Sequence, residues 1–107
     1  MSQHFTTVTS FSIEASHPAL PGHFPGLPVV PGVVLLDRII DAAARWLGAG
    51  VYVLSIQQVK FLRTLLPGET ADVTLRFDGK RSLRFSIAHG QTAIASGVLE
   101  VRTGPQT

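Results

Sequence analysis

Between Ala15 and Gly32 the chain reads ASHPALPGHFPGLPVVPG, with five prolines and three glycines. That composition supports neither a helix interior nor a hydrogen-bonded ladder strand. The segment can only be an ordered loop. It ends where Pro31 and Gly32 open the run VVLLDRIIDAAARWL, which has no Gly or Pro and places apolar residues at helical spacing until Gly48 and Gly50 stop it. This is the only long helix the sequence offers. Its first turn and a half is apolar almost all round, so the helix has to be wrapped by something else.

The wrapper is supplied by strands. Phe5 to Glu14 is rich in Thr, Val, Phe and Ile with rough alternation, which suits a half-buried strand. After the helix come Val51 to Gln58, continuing through Lys60 to Leu66, then Ala71 to Phe77, Leu83 to His89 and Thr92 to Val101. Asp78-Gly79 and His89-Gly90 are hairpin turn signals, so the last three strands should be consecutive and antiparallel. The order of strand, proline-rich loop, long helix and four strands predicts an α+β fold with a curved antiparallel sheet around one helix. A single core absorbs 107 residues, so residues 1–107 are expected to form one domain.

Hydrophobic residues make up 45% of the chain and charged residues only 15%, more apolar surface than a small monomer easily hides. Self-association is therefore expected. Nine Lys and Arg against seven Asp and Glu give +2, too slight a charge for a nucleic-acid binder. The absence of cysteine excludes disulfides, thiolate metal sites and a Cys nucleophile. The opening MSQHFTTVTSFSIE shows no basic and apolar leader pattern, and the apolar runs fall short of the roughly 20 residues of a membrane helix. A cytoplasmic location fits these features.

Four histidines are candidates for chemistry. His4 lies near the terminus, His89 at a hairpin turn, and His17 just before Pro18, where structural roles suffice. His23 differs because it sits in Gly22-His23-Phe24-Pro25-Gly26, where glycines and proline fix the backbone and an aromatic neighbour shields the ring. A fixed imidazole that changes charge near neutral pH can serve as general base, although rigid loops also hold structural histidines. Asp37 shares a helical arc with Arg38, Asp41 and Arg45, which reads as a solvated stripe with Asp41 and Arg45 paired. However, Val34 lies one turn earlier on that arc, so Asp37 sits at an apolar-to-polar boundary where a partly desolvated carboxyl group can act as general acid. Gly32 either permits a tight loop-to-helix junction or leaves first-turn N–H groups open to a carbonyl oxygen.

The stretch HFPGLPVVPGVVLLD, His23 to Asp37, closely resembles the active-site signature of the FabA/FabZ-type 3-hydroxyacyl acyl-carrier-protein dehydratases. The matched positions are His-Phe-Pro at 23 to 25, Pro28-Val29, Pro31-Gly32 and the acidic residue fourteen positions after the histidine. Val59-Lys60-Phe61 followed by Pro67-Gly68-Glu69 resembles the family's central strand and its closing turn. Asp37 stands where the FabZ branch usually has Glu, as in the FabA branch, while the rest of the segment reads more like FabZ. The chain is also shorter than typical members. The HPALPGHFPG lead-in resembles the compact dehydratases of aryl-polyene pathways.

The resemblance implies a hot-dog fold and a homodimer whose sites are shared, His23 from one subunit meeting Asp37 from the other. A heterodimer or higher oligomer is the alternative assembly. It implies that His23 takes the α-proton, that the Gly32 amide stabilises the thioester oxyanion, and that the Val29 carbonyl orients the His23 ring. Asp37 would assist departure of the β-hydroxyl. Phe24, Val33 and Leu36 would line an acyl tunnel. No metal or organic cofactor is implied; the substrate rides on the phosphopantetheine arm of acyl carrier protein. Carrier proteins are acidic, which makes Lys60, Arg63, Lys80, Arg81 and Arg84 candidates for docking, with scattered solubilising charge the competing explanation. Rival readings are a hot-dog acyl thioesterase, a non-catalytic subunit of a dehydratase heterodimer, and an acyl-binding module.

Overall fold

The computed structural model describes residues 5–14, 29–48 and 50–103. One helix packs on one five-stranded antiparallel sheet. The elements are β1 (Phe5–Phe11), α1 (Gly32–Leu47), β2 (Val51–Phe61), β3 (Ala71–Phe77), β4 (Ser82–His89) and β5 (Thr92–Thr103). The sheet order is β1-β3-β4-β5-β2, so β1 and β2 are its edges.

Strict alternation shapes the sheet. In β3, Ala71, Val73, Leu75 and Phe77 are buried while Asp72, Thr74 and Arg76 are exposed, the period of two expected of a sheet with one covered face. Leu83, Phe85 and Ile87 of β4, with Leu99 and Val101 of β5, extend the same buried face. Onto it α1 turns Val34, Leu35, Ile39 and Ala43. Among the described residues no polar or charged side chain is buried.

The helix starts without a side-chain cap, after Pro31 at φ −63° and ψ 147°. It ends at Gly48, whose positive φ of 113° turns the chain away while its N–H donates to the Ala44 carbonyl at 2.9 Å. Helix, hairpin order and antiparallel pairing stand as expected.

Two strand ends need correction. The first strand stops at Phe11 rather than Glu14, because Ile13 turns into the core and its carbonyl accepts the Gly68 N–H at 2.8 Å. The strand after the helix stops at Phe61 rather than Leu66, because the N–H groups of Leu62 and Arg63 both turn to one acceptor, the Ile94 carbonyl, at 2.8 and 3.2 Å. Among the described residues, the sheet packs against the side of α1 that carries Val34, Leu35, Ile39 and Ala43. Val33 is 64% exposed and Ile40 is exposed as well among the described residues.

Candidate functional site

The start of α1 is built from three supports. Ile94 falls at the register shift between Ile87 and Ala88, a bulge that lets both Ile94 and Ala95 face the core. Its carbonyl holds the segment after β2. That segment carries the buried Leu65, whose carbonyl accepts the Val30 N–H at 2.9 Å, fixing the chain two residues before the helix. The Pro67-Gly68-Glu69 turn then braces Leu65. Glu69 accepts the Leu66 N–H on Oε1 at 2.8 Å and lies 3.3 Å from His89 Nε2, and the His89 Nδ1 is 2.7 Å from the Thr70 carbonyl. The motif that resembles the family's closing turn is thus a buttress for the helix start, and His89 has the structural role assigned to it.

Gly32 has the Phe61 ring above it. A methyl group there would lie 2.7 Å from the ring Cζ, so glycine is what lets β2 approach the helix start. The N–H groups of Val34 and Leu35 point to the Pro31 carbonyl at 3.0 and 3.4 Å. Those of Gly32 and Val33 have no acceptor among the described residues, and they carry the positive end of the helix dipole.

Asp37 lies about 7.5 Å along the axis from Gly32, at 1.5 Å per residue, and it is exposed. The neighbouring Asp41 is engaged by Arg45, Oδ2 to Nη2 at 2.6 Å. Asp37 has no ion pair or hydrogen bond among the described residues. Val34, expected on the same face one turn earlier, lines a shallow depression with Asp37, Arg38, Ile40, Asp41 and Ala44 and is itself mostly buried; Val33 and Ile40 are the exposed apolar neighbours.

His23 and Phe24 lie outside the described residues. Val29 and Gly32 are half-buried, and Leu36 packs partly against the core. Of the docking candidates, Lys60 and Arg84 line one groove on the sheet face opposite α1, whereas Arg63 is exposed in the segment after β2. Lys80 and Arg81 sit in the β3–β4 turn, held by Asp78 Oδ1, and Arg81 lies 3.8 Å from Glu100. The groove contains a cation the sequence reading missed, Arg76. Its alternation with Thr74 in the Ala71–Phe77 run is the signal that assigns it to the outward face. Among the described residues no group of three potential metal ligands converges.

An open helix N-terminus followed by an unpaired carboxylate, on a single helix over a curved sheet, defines a hot-dog protein with an acidic group poised beside the helix start. The chain belongs to the ApeI-like dehydratase family, whose model, described as ApeI dehydratase, matches residues 1–98. It is 30% identical over 95 residues to the 3-hydroxyacyl acyl-carrier-protein dehydratase FabZ of Cereibacter sphaeroides, covering 71% of this chain and 61% of that one. It is 29% identical over 101 residues to the FabZ of Rhodopseudomonas palustris, covering 81% and 67%. The chain spans less than two thirds of the length of the Cereibacter relative.

Among solved structures, the dehydratase heterocomplex ApeI:P from Xenorhabdus doucetiae superposes with a TM-score of 0.81 at 25% identity, covering 94% of this chain and 96% of that one. An uncharacterized protein from Erwinia carotovora subsp. atroseptica gives 0.79 at 32%, covering 94% and 85%. The fluoroacetyl-CoA-specific thioesterase FlK shares the fold, with a TM-score of 0.64 at 22% identity over 95% of this chain and 87% of that one.

Proposed function

We propose that this chain, as one hot-dog domain over residues 1–107, removes water from a 3-hydroxyacyl thioester carried on acyl carrier protein, in the cytoplasm. The observation that carries the reading is the pairing, among the described residues, of a Gly32 N–H without an acceptor at the helix start with an Asp37 without a partner on the same helix, in a member of a dehydratase family.

In the proposed reaction His23 removes the α-proton, with its ring oriented by the Val29 carbonyl. Negative charge grows on the thioester oxygen, and an N–H at a helix start stabilises charge at such a point. Asp37, protonated, gives its proton to the departing β-hydroxyl, which leaves as water with the electron pair of its carbon–oxygen bond. Phe24, Val33 and Leu36 line the acyl path. The elimination exchanges only protons and water, and we propose that it uses neither metal nor organic cofactor.

The active unit in this reading is a homodimer. The exposed apolar residues of the β2 edge and of α1, Tyr52, Leu54, Ile56 and Val33 among them, make a surface that a second copy would cover. That cover would also help to shield Asp37, which is exposed among the described residues. The ApeI:P structure, a heterocomplex by its description, favours a second reading in which the β2 edge meets a related but different hot-dog subunit.

The test is mass-spectrometric turnover of a short 3-hydroxyacyl carrier-protein thioester. Wild type is expected to release one water per substrate. His23→Ala and Asp37→Asn, each shown to fold, are expected to fall by roughly 10²–10⁴-fold, the usual worth of a general acid or base. Hydrolysis to a free acid would identify a thioesterase instead. Folded wild type that is inert until a second hot-dog chain is added would establish the heterodimer.

A further inference from the structure

The Val29 carbonyl, which orients the His23 ring in the proposed reaction, belongs to the same peptide group as the Val30 N–H. Among the described residues every peptide bond is trans, so this carbonyl and this N–H point in opposite directions from one rigid plane. The Val30 N–H donates to the Leu65 carbonyl at 2.9 Å. Whatever fixes Leu65 therefore aims the Val29 carbonyl.

Leu65 is held in the same way. Its carbonyl shares a peptide group with the Leu66 N–H, which donates to Glu69 Oε1 at 2.8 Å. Two peptide groups thus lie in series between the Glu69 carboxylate and the Val29 carbonyl, each polarising the next. The other carboxylate oxygen, Oε2, lies 3.3 Å from His89 Nε2, and His89 Nδ1 lies 2.7 Å from the Thr70 carbonyl. A carbonyl oxygen only accepts, so Nδ1 carries a proton. Nε2 then has a hydrogen to give Glu69 only in the imidazolium; in the neutral ring its lone pair faces a carboxylate oxygen.

We propose that His89 is a positioning residue, which as imidazolium aims the Val29 carbonyl through Glu69 and the two peptide groups. The proposal rests on the dehydratase reading of His23 and Val29. Glu69 is the charged group in contact with the ring. On β3, Asp72 stands opposite Ala88 and so projects from the other face of the sheet than His89. Thr92, opposite His89 on β5, carries no charge. Glu14 adjoins the same turn, since the carbonyl of Ile13 before it accepts the Gly68 N–H. The His89 and Glu69 side chains are 42% and 32% exposed, so their pairing adds little to stability. Its effect is on direction, and the measurements have to read direction.

The experiment follows the His89 ring and the amides of Leu66 and Val30 by nuclear magnetic resonance as the pH is raised, without substrate. It uses the wild type and His23→Ala, which silences the ring proposed beside Val29; the His89 signal is assigned by its loss in His89→Gln. Both amides are expected to shift with the midpoint of the His89 ring. In Glu69→Gln, shown to fold, the ring is expected to titrate while the two amides no longer follow it. In turnover, His89→Gln is expected to lower kcat about tenfold with KM within about twofold, the mark of a misaimed catalytic group. A brace without a positioning role predicts a lower Tm and unchanged kcat. Amides that ignore the ring, or a folded His89→Gln with wild-type kcat, would overturn the proposal. If His89→Gln does not fold, the wild-type and Glu69→Gln titrations decide. Coupled amides in a chain that dehydrates nothing would sink the dehydratase reading alone, and an active chain with uncoupled amides would sink this one.

Discussion

A methyl group at Gly97 would run into the carbonyl oxygen of Gln58 and, at 2.6 and 2.8 Å, the ring of Phe85. Phe85 is buried against the core and Gln58 belongs to the edge strand, so neither yields without moving the sheet. Gly97→Ala is expected to destabilise the fold by about 1–3 kcal/mol through overpacking, lowering Tm by about 4–8 °C per kcal/mol. Thermal unfolding by circular dichroism reads this; an unchanged Tm would mean that β2 moves freely at Gln58. At the same scale, the charge and helix-face neighbours of Asp37 were legible in the sequence and its exposure was not. The helical arc correctly paired Asp41 with Arg45 and put Val34 on the Asp37 face, where both line one depression, but it does not show that Val34 is itself buried. Arg76 escaped notice because it joins the groove by standing opposite Arg84, and a partner across a sheet is fixed by register, not by neighbours in the chain.

Among the elements, α1 and the hairpins joining β3, β4 and β5 were legible because their signals are local: a Gly- and Pro-free apolar run, then Asp-Gly and His-Gly turns. The partners of the two edge strands were not. Phe5 pairs with Phe77 and Val51 with Thr103, contacts that only the closed sheet brings together. The register shifts in β2 and at Ile94 leave no mark in the alternation either, yet the one at Ile94 holds the helix start. The β2 edge supplies the element-scale prediction. It is eleven residues long and exposes Tyr52, Leu54 and Ile56, a template for pairing with another strand. Ile56→Asp puts a charge at the middle of that edge without touching the core and is expected to turn the oligomer into a folded monomer by light scattering on a sizing column. An unchanged mass would place the interface on another surface.

At the scale of the whole molecule, the proposed reaction makes a demand that the described residues of one chain do not meet. Elimination chemistry needs a dry, enclosed site, yet among the described residues no polar side chain is buried and Asp37 faces solvent. In the proposed reading a second chain supplies the enclosure, covering the exposed flank of α1 beside the β2 edge. The arrangement implied by the family resemblance, His23 from one subunit and Asp37 from the other, then makes a quantitative claim. His23→Ala and Asp37→Asn are each expected to be nearly inactive alone. If they are unfolded together and refolded, half of the dimers by chance pair one chain of each kind. In a mixed dimer one site receives both defects and the other receives neither, so one of its two sites is whole. Two-fold symmetry therefore predicts recovery of about a quarter of wild-type turnover. Sites built within single chains predict no recovery, since every site would still carry one defect. Turnover measured before and after co-refolding separates the two: a rise towards a quarter requires shared sites, and a flat result would assign both residues to the same subunit.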